Sequence, residues 1–333
     1  MLLARLANYL KSRTDDERIH VVKQSISDED VSAAAQEPVL SSAELVEGDS
    51  LGAVSVGTPE ASGFSHFLDG IERRQLLYYD SMTPMVYGFT AAVVRERRSD
   101  RKMYTFDSVS QEKLYCACSK VDTEGLLGAD IEIYDTLADS EADKSAIEHP
   151  LRLLDLARRA VSKDREKLER ALAEKWITKA GDSGGWLLWD GSITIGFDAY
   201  KHPRVIGVIK SHQTHYFQGE EQSKIMKLRV GERSSVFMPK ARERTPVYSW
   251  YLRLHPNDGC DVYFGLIRIE AAASDETLEI VDMVSRWLLG ERAPLALPDG
   301  RWDRMIYPIR DCEQYLKAIA PSRTFIEAAL GAI

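Results

Sequence analysis

The chain has 333 residues, 44% hydrophobic, 9% aromatic and 29% charged, which is the mix of an ordinary soluble globular protein long enough for two domains or one large α/β domain. No run approaches the ~18 consecutive apolar residues of a membrane span. The four cysteines (Cys116, Cys118, Cys260, Cys312), two of them in a C-A-C spacing, argue against both a disulfide framework and a C-x-x-C zinc site, and for a reducing, cytoplasmic setting. A net charge of −9 argues at face value against a protein that coats nucleic acid, but the charge is uneven. Residues 1–62 hold 5 basic and 11 acidic side chains, against 38 and 41 in the remainder.

Residues 1–13, with Leu2, Leu3, Leu6 and Leu10 at helical spacing, read as a short amphipathic helix, too interrupted by Arg and Lys for a secretory signal. From Thr14 to Ser62 the composition turns to Ser, Glu, Asp, Ala and Gly. The whole of 1–62 is expected to be an acidic, partly ordered arm, either a bland appendage or a docking segment. At Gly63 the texture changes. FSHFLDG, QLLYYD, PMVYGFTAAVVRER, KMYTF and KLYCACS are aromatic and β-branched, which predicts five strands in a largely antiparallel meander, with RRSDRK at a hairpin tip.

A helix is predicted from about Pro150 to Trp176, with Leu154, Val161, Leu168 and Leu172 on one face. WLLWDGSI, RVIGVIKS, VYSWYLRL and DVYFGLIRIE read as four further strands, and helical segments follow near 274–290, 311–319 and 322–331. This order predicts an α/β fold with a mixed central sheet flanked by helices.

GDSGGWLL, residues 181–188, resembles the nucleophile segment of trypsin-like serine proteases. Activation of Ser183 would need a His oriented by an Asp, and His20, His66 and His149 stand in no such setting. The segment also follows a long helix, where small residues serve to turn helix into strand.

Two strands share a form, HFLDG with Asp69 and WLLWDGS with Asp190. A carboxylate at the end of an apolar strand, followed by Gly, is held at the rim of a sheet. Two such rims side by side give hard oxygen ligands suited to Mg²⁺ or Mn²⁺, while each Asp-Gly taken singly is also a common turn. The intervening helix offers Glu169, about 80° from the centre of its apolar face, and Glu166, about 140° away at about 100° per residue. His212 and His215 have metal-like spacing but no third ligand near, and Trp250 and Tyr251 read as core aromatics rather than base-stacking groups.

In the order HFLDG, DREKLERALAEKW, WLLWDGSI, VIGVIKS and YPIRDCEQYL, the chain from about 63 to 320 resembles the NurA-type nucleases. The resemblance implies one nuclease domain over 63–333 with an RNase H-like (Piwi-related) fold. It further implies an Mn²⁺- or Mg²⁺-dependent deoxyribonuclease processing DNA ends in repair or genome defence, working as a homodimer with a HerA-type hexameric ATPase. Asp69, Glu169 (or Glu166) and Asp190 would hold one or two ions. Lys210 would contact the scissile phosphate or orient the water. Arg95, Arg97, Arg98, Arg101 and Lys102 would meet the DNA backbone, or else form a solvated turn. The family's final helix carries a His ligand, which this chain lacks. Asp311 is the expected replacement, with Glu313 and, less suitably, Cys312 as the others. The missing His also leaves open a non-catalytic DNA clamp or adaptor for such a motor.

Overall fold

The structure, a computed structural model, describes residues 39–80, 82–121, 123–128, 132–138, 149–180, 184–195, 201–240, 246–292 and 302–322. The expected helix over 1–13, Ser183 of the protease-like segment and nearly all of the expected helix over 322–331 lie outside the described residues. Among the described residues, no helix is long and apolar enough to cross a membrane. The chain is mixed α/β and divides into two compact units, one formed by 1–63, 191–194 and 200–307, the other by 64–190, 195–199 and 308–333.

In the first unit, β2 (Ser42–Leu45), β12 (Phe237–Lys240), β13 (Val247–Arg253), β14 (Leu266–Ala272) and β9 (Val205–Ile209) lie side by side and antiparallel. β11 (Glu232–Ser234) joins β13 to β3 (Ala53–Ser55), and β1 (Val39–Leu40) runs parallel to β10 (Thr214–His215). Both faces of β13 and β14 are covered, so these strands are apolar runs without alternation. Trp250 is fully buried and donates its indole N–H to Ser285 Oγ at 3.0 Å, while Tyr251 is buried beside Phe237. Both are core residues, as expected.

Residues 39–62 are more ordered than their composition implies. They supply β1, β2 and β3, and buried Arg233 grips both oxygens of Glu47 at 2.6 and 2.9 Å.

The second unit carries the sheet β8–β4–β5–β6–β7. β4 (Phe64–Asp80), β5 (Thr83–Arg97) and β6 (Met103–Cys116) form the antiparallel meander. β8 (Trp186–Asp190) runs parallel to β4, and β7 (Ile133–Asp135) runs parallel to β6, so this sheet is mixed. RRSDRK does turn the β5–β6 hairpin, with Arg101 at φ 62°. The five expected strands are three long ones, because the polar stretches taken for turns continue the ladder.

α1 (Thr123–Gly128) precedes β7, and α2 (Pro150–Ala180) packs Leu154, Ala157, Val161, Leu172 and Trp176 against the meander. α3 (Gly219–Met226) and α4 (Asp275–Glu291) belong to the first unit, the latter capped by Ser274 Oγ accepting from the Thr277 amide. α5 (Tyr307–Ile319) lies in the second unit from Pro308 onward.

Candidate metal centre

Along β4 successive side chains alternate between the faces of the sheet. One face meets α2, as Glu72 accepts from Ser162 Oγ at 3.1 Å and Arg74 donates to the Arg158 carbonyl at 3.2 Å. Gly70 shares that face, and a Cβ there would lie 2.2 Å from Glu169 Oε1. Asp69 therefore points away from α2. It is 5% exposed, and its Oδ1 accepts from the Gly70 amide at 2.8 Å. It does not end a strand, as its Asp-Gly pattern suggested, but sits within β4.

α5 brings a third carboxylate. Ile309, Cys312 and Leu316 are its buried stripe, and the Cys312 thiol donates to the Phe67 carbonyl at 3.4 Å. One ligand atom each from Asp69, Asp190 and Glu313 lies within 4.8 Å of the others, with Asp69 buried and the other two half-buried. Glu313 also accepts from Lys317 Nζ, one helical turn on, at 3.4 Å. Three carboxylates so close repel one another. An octahedral Mg²⁺ or Mn²⁺ with bonds of about 2.1 Å spaces its oxygens about 3 to 4 Å apart, so this all-oxygen set fits such an ion. Cys312 takes no part. Burial, and next the charges of Asp69 and Asp311, push its thiol well above the usual range, which keeps it protonated.

The structure thus brings Asp69 and Asp190 together and corrects the rest of the expected set. Asp311 is not in the group; it accepts from Arg95 Nε at 2.6 Å on the other flank of the helix. The helical phase could have separated the two. At about 100° per residue, Glu313 lies about 65° from the centre of the Ile309–Cys312–Leu316 stripe and Asp311 about 130°.

Glu169 is also outside the group. It is buried on the α2 face, where Arg165 Nη1 donates to Oε1 and the Trp189 indole N–H donates to Oε2 at 3.3 Å. Burial raises its carboxyl to about 7 despite the opposing charge of Arg165. Although burial opposes the charge on Arg165, Glu169 and Glu72 hold it firmly protonated. Glu166 is half-buried and 3.9 Å from Arg165.

Lys210 is half-buried just after β9, in the first unit. Of the expected backbone-binding cations, Arg95 is committed to Asp311, to Thr105 Oγ1 at 2.6 Å and to the Tyr315 ring at 5.2 Å. Arg97 donates to the Phe64 carbonyl at 2.7 Å and covers the Phe67 ring. Arg98, Arg101 and Lys102 are at the exposed tip, where Arg98 stacks 4.2 Å over Tyr104 and pairs with Glu96.

His212 and His215 hold no metal-like group. The former contacts the Leu266 carbonyl at 3.0 Å and stacks 4.8 Å from Tyr263; the latter meets the Tyr263 hydroxyl at 3.3 Å. Sequence reasoning missed Arg165, whose i, i+4 spacing to Glu169 was the available signal. It also missed Asp164, a buried carboxylate on the apolar face of α2 that accepts from Lys113 and the Tyr115 hydroxyl at 2.9 and 3.0 Å. No family model and no curated protein matches this chain.

Proposed function

We propose that the protein is a metal-dependent deoxyribonuclease with an RNase H-like centre, of the NurA type that its order of motifs resembles. The observation that carries this reading is the meeting of Asp69, Asp190 and Glu313 from β4, β8 and α5 within 4.8 Å. Glu313 supports it further by supplying a hard oxygen ligand from the helix in which that family has its His, so the reading as a catalytically empty adaptor loses its motive. When bound, a divalent ion supplies Lewis-acid activation of water and offsets charge on a scissile phosphate.

The chain's own residues do the rest. Asp69 is locked by the Gly70 amide, Glu313 is presented by a helix anchored on the sheet, and the apolar strands beneath keep the carboxylates close. Arg98, Arg101 and Lys102 at the hairpin tip are the remaining cations for a DNA backbone. A HerA-type hexameric ATPase and a second copy of the chain are the partners that belong to this reading.

End-labelled single- and double-stranded DNA, incubated with the protein and Mn²⁺, Mg²⁺ or EDTA, tests it. Digestion should require the metal and fall by more than about a hundredfold in Asp69→Asn, Asp190→Asn and Glu313→Gln. Digestion that survives these substitutions removes the proposed centre. Absence of digestion with DNA binding intact favours the adaptor.

A further inference from the structure

We propose that the centre holds one divalent ion rather than two, and that Arg165 takes the place beside Glu169 that a second ion would need. The inference rests on the metal-centre reading above and fixes its stoichiometry. Two-ion phosphodiester sites set their metals about 3.5–4 Å apart, so a second ion needs further carboxylate oxygens bordering the first set. Among the described residues, Glu169 is that carboxylate. It lies against Gly70 and Trp189, the chain neighbours of Asp69 and Asp190, and it feels the Asp190 charge.

Both of its oxygens are already taken. Arg165, one turn earlier on α2, donates to Oε1, and the buried Trp189 indole donates to Oε2. Nor is the arginine free to leave. Its Nε pairs with Glu72 at 3.5 Å, its Nη2 lies 3.9 Å from Glu166, and it senses Asp69. Glu72 is in turn fixed by Ser162 Oγ at 3.1 Å. A guanidinium cannot lose its proton in a protein, and its rigid fork matches carboxylates in a way a hydrated ion does not. An ion entering at Glu169 would have to displace that fork from three carboxylates while facing its charge. The fixed cation on this side of the centre is thus built into the chain, and Glu169 acts as a positioning residue for Arg165 rather than as a metal ligand.

Stoichiometry tests this directly. The full chain, stripped with EDTA and titrated with Mn²⁺ at mildly alkaline pH, is followed by calorimetry and by Mn²⁺ electron paramagnetic resonance. Wild type should bind one Mn²⁺ per chain with no Mn–Mn coupling. Arg165→Met should bind two with a coupled signal, and Arg165→Met combined with Glu169→Gln should return to one. Arg165→Lys, which keeps the charge and covers the chance that the methionine variant misfolds, should stay at one. Two coupled ions in wild type, or one ion in folded Arg165→Met, overturns the proposal while leaving the centre intact. A wild type that binds no ion, or binds one that persists in Asp69→Asn/Asp190→Asn, sinks the metal-centre reading and this proposal with it.

Discussion

Gly70 shows why an Asp-Gly pair stands at the centre for a reason other than turning the chain. The backbone here is regular strand, paired to Ala92 of β5, so no turn requires glycine. What requires it is Glu169, whose Oε1, Cγ and Cδ would lie 2.2, 2.8 and 2.9 Å from an added Cβ. Glu169 cannot yield cheaply, since it is buried between Arg165 and Trp189, and parting it from Arg165 would leave an uncompensated charge. Gly70→Ala should therefore cost about 2 kcal/mol from overpacking, read as a lower urea midpoint with an unchanged slope. Gly70→Ala in a Glu169→Ala background should cost much less, because the space is then open. Equal losses in both backgrounds would assign the cost to the strand itself.

At the scale of elements, α5 places its ligand through contacts made by the residues beside it. Arg95 holds Asp311 at 2.6 Å and stacks on Tyr315, while Cys312 rests on the Phe67 carbonyl, so the helix is clamped to β4 and β5 on either side of Glu313. Asp311→Asn and Arg95→Ala should therefore weaken Mn²⁺ affinity by about tenfold, as loss of an orienting partner does. Glu313→Gln should weaken it by more than a hundredfold (about 3 kcal/mol). Calorimetric titration gives all three, and the reverse order between Asp311 and Glu313 would restore Asp311 as the ligand. The apolar strand ends and the helical phase of α2 and α5 made most of these elements legible, because burial writes a period into the sequence. The length of β4 was not legible. Glu72 and Arg74 look like turn residues, yet they are satisfied by Arg165, Ser162 and Arg158 of α2, partners far away in the chain. Nor was the face on which Glu169 lies, since a helical wheel gives its angle to the sheet but not which side of the sheet the aspartates point to.

Over the whole molecule, charge reads differently once pairing is known. Of the acidic residues in 39–62, Glu44 pairs with Lys240, Glu47 with Arg233 and Glu60 with Arg286, so much of this stretch's charge is used inside the first unit. Net charge of the sequence thus says little about what the surface offers DNA. Titration adds a second whole-molecule property. Burial, with Arg292 beside it, lowers His255 to about 4, and burial, with Arg304 and Arg268 adding to it, lowers His212 to about 3. Both residues are neutral in the fold, whereas an unfolded chain protonates them near 6.5. The folded pKa is depressed for a base, so the unfolded state binds more protons below 6.5, and stability falls as pH drops from 6.5 towards 4. His255 alone can remove up to about 3 kcal/mol by the bottom of that window. Glu47, held below the usual carboxylate range mainly by Arg233, loses its contribution only below about 4.5. Thermal melts of wild type should therefore decline between pH 6.5 and 5, before any carboxylate is protonated, and His255→Gln should flatten that decline. A wild-type melting temperature level down to pH 5 would mean that these histidines reach water and titrate normally.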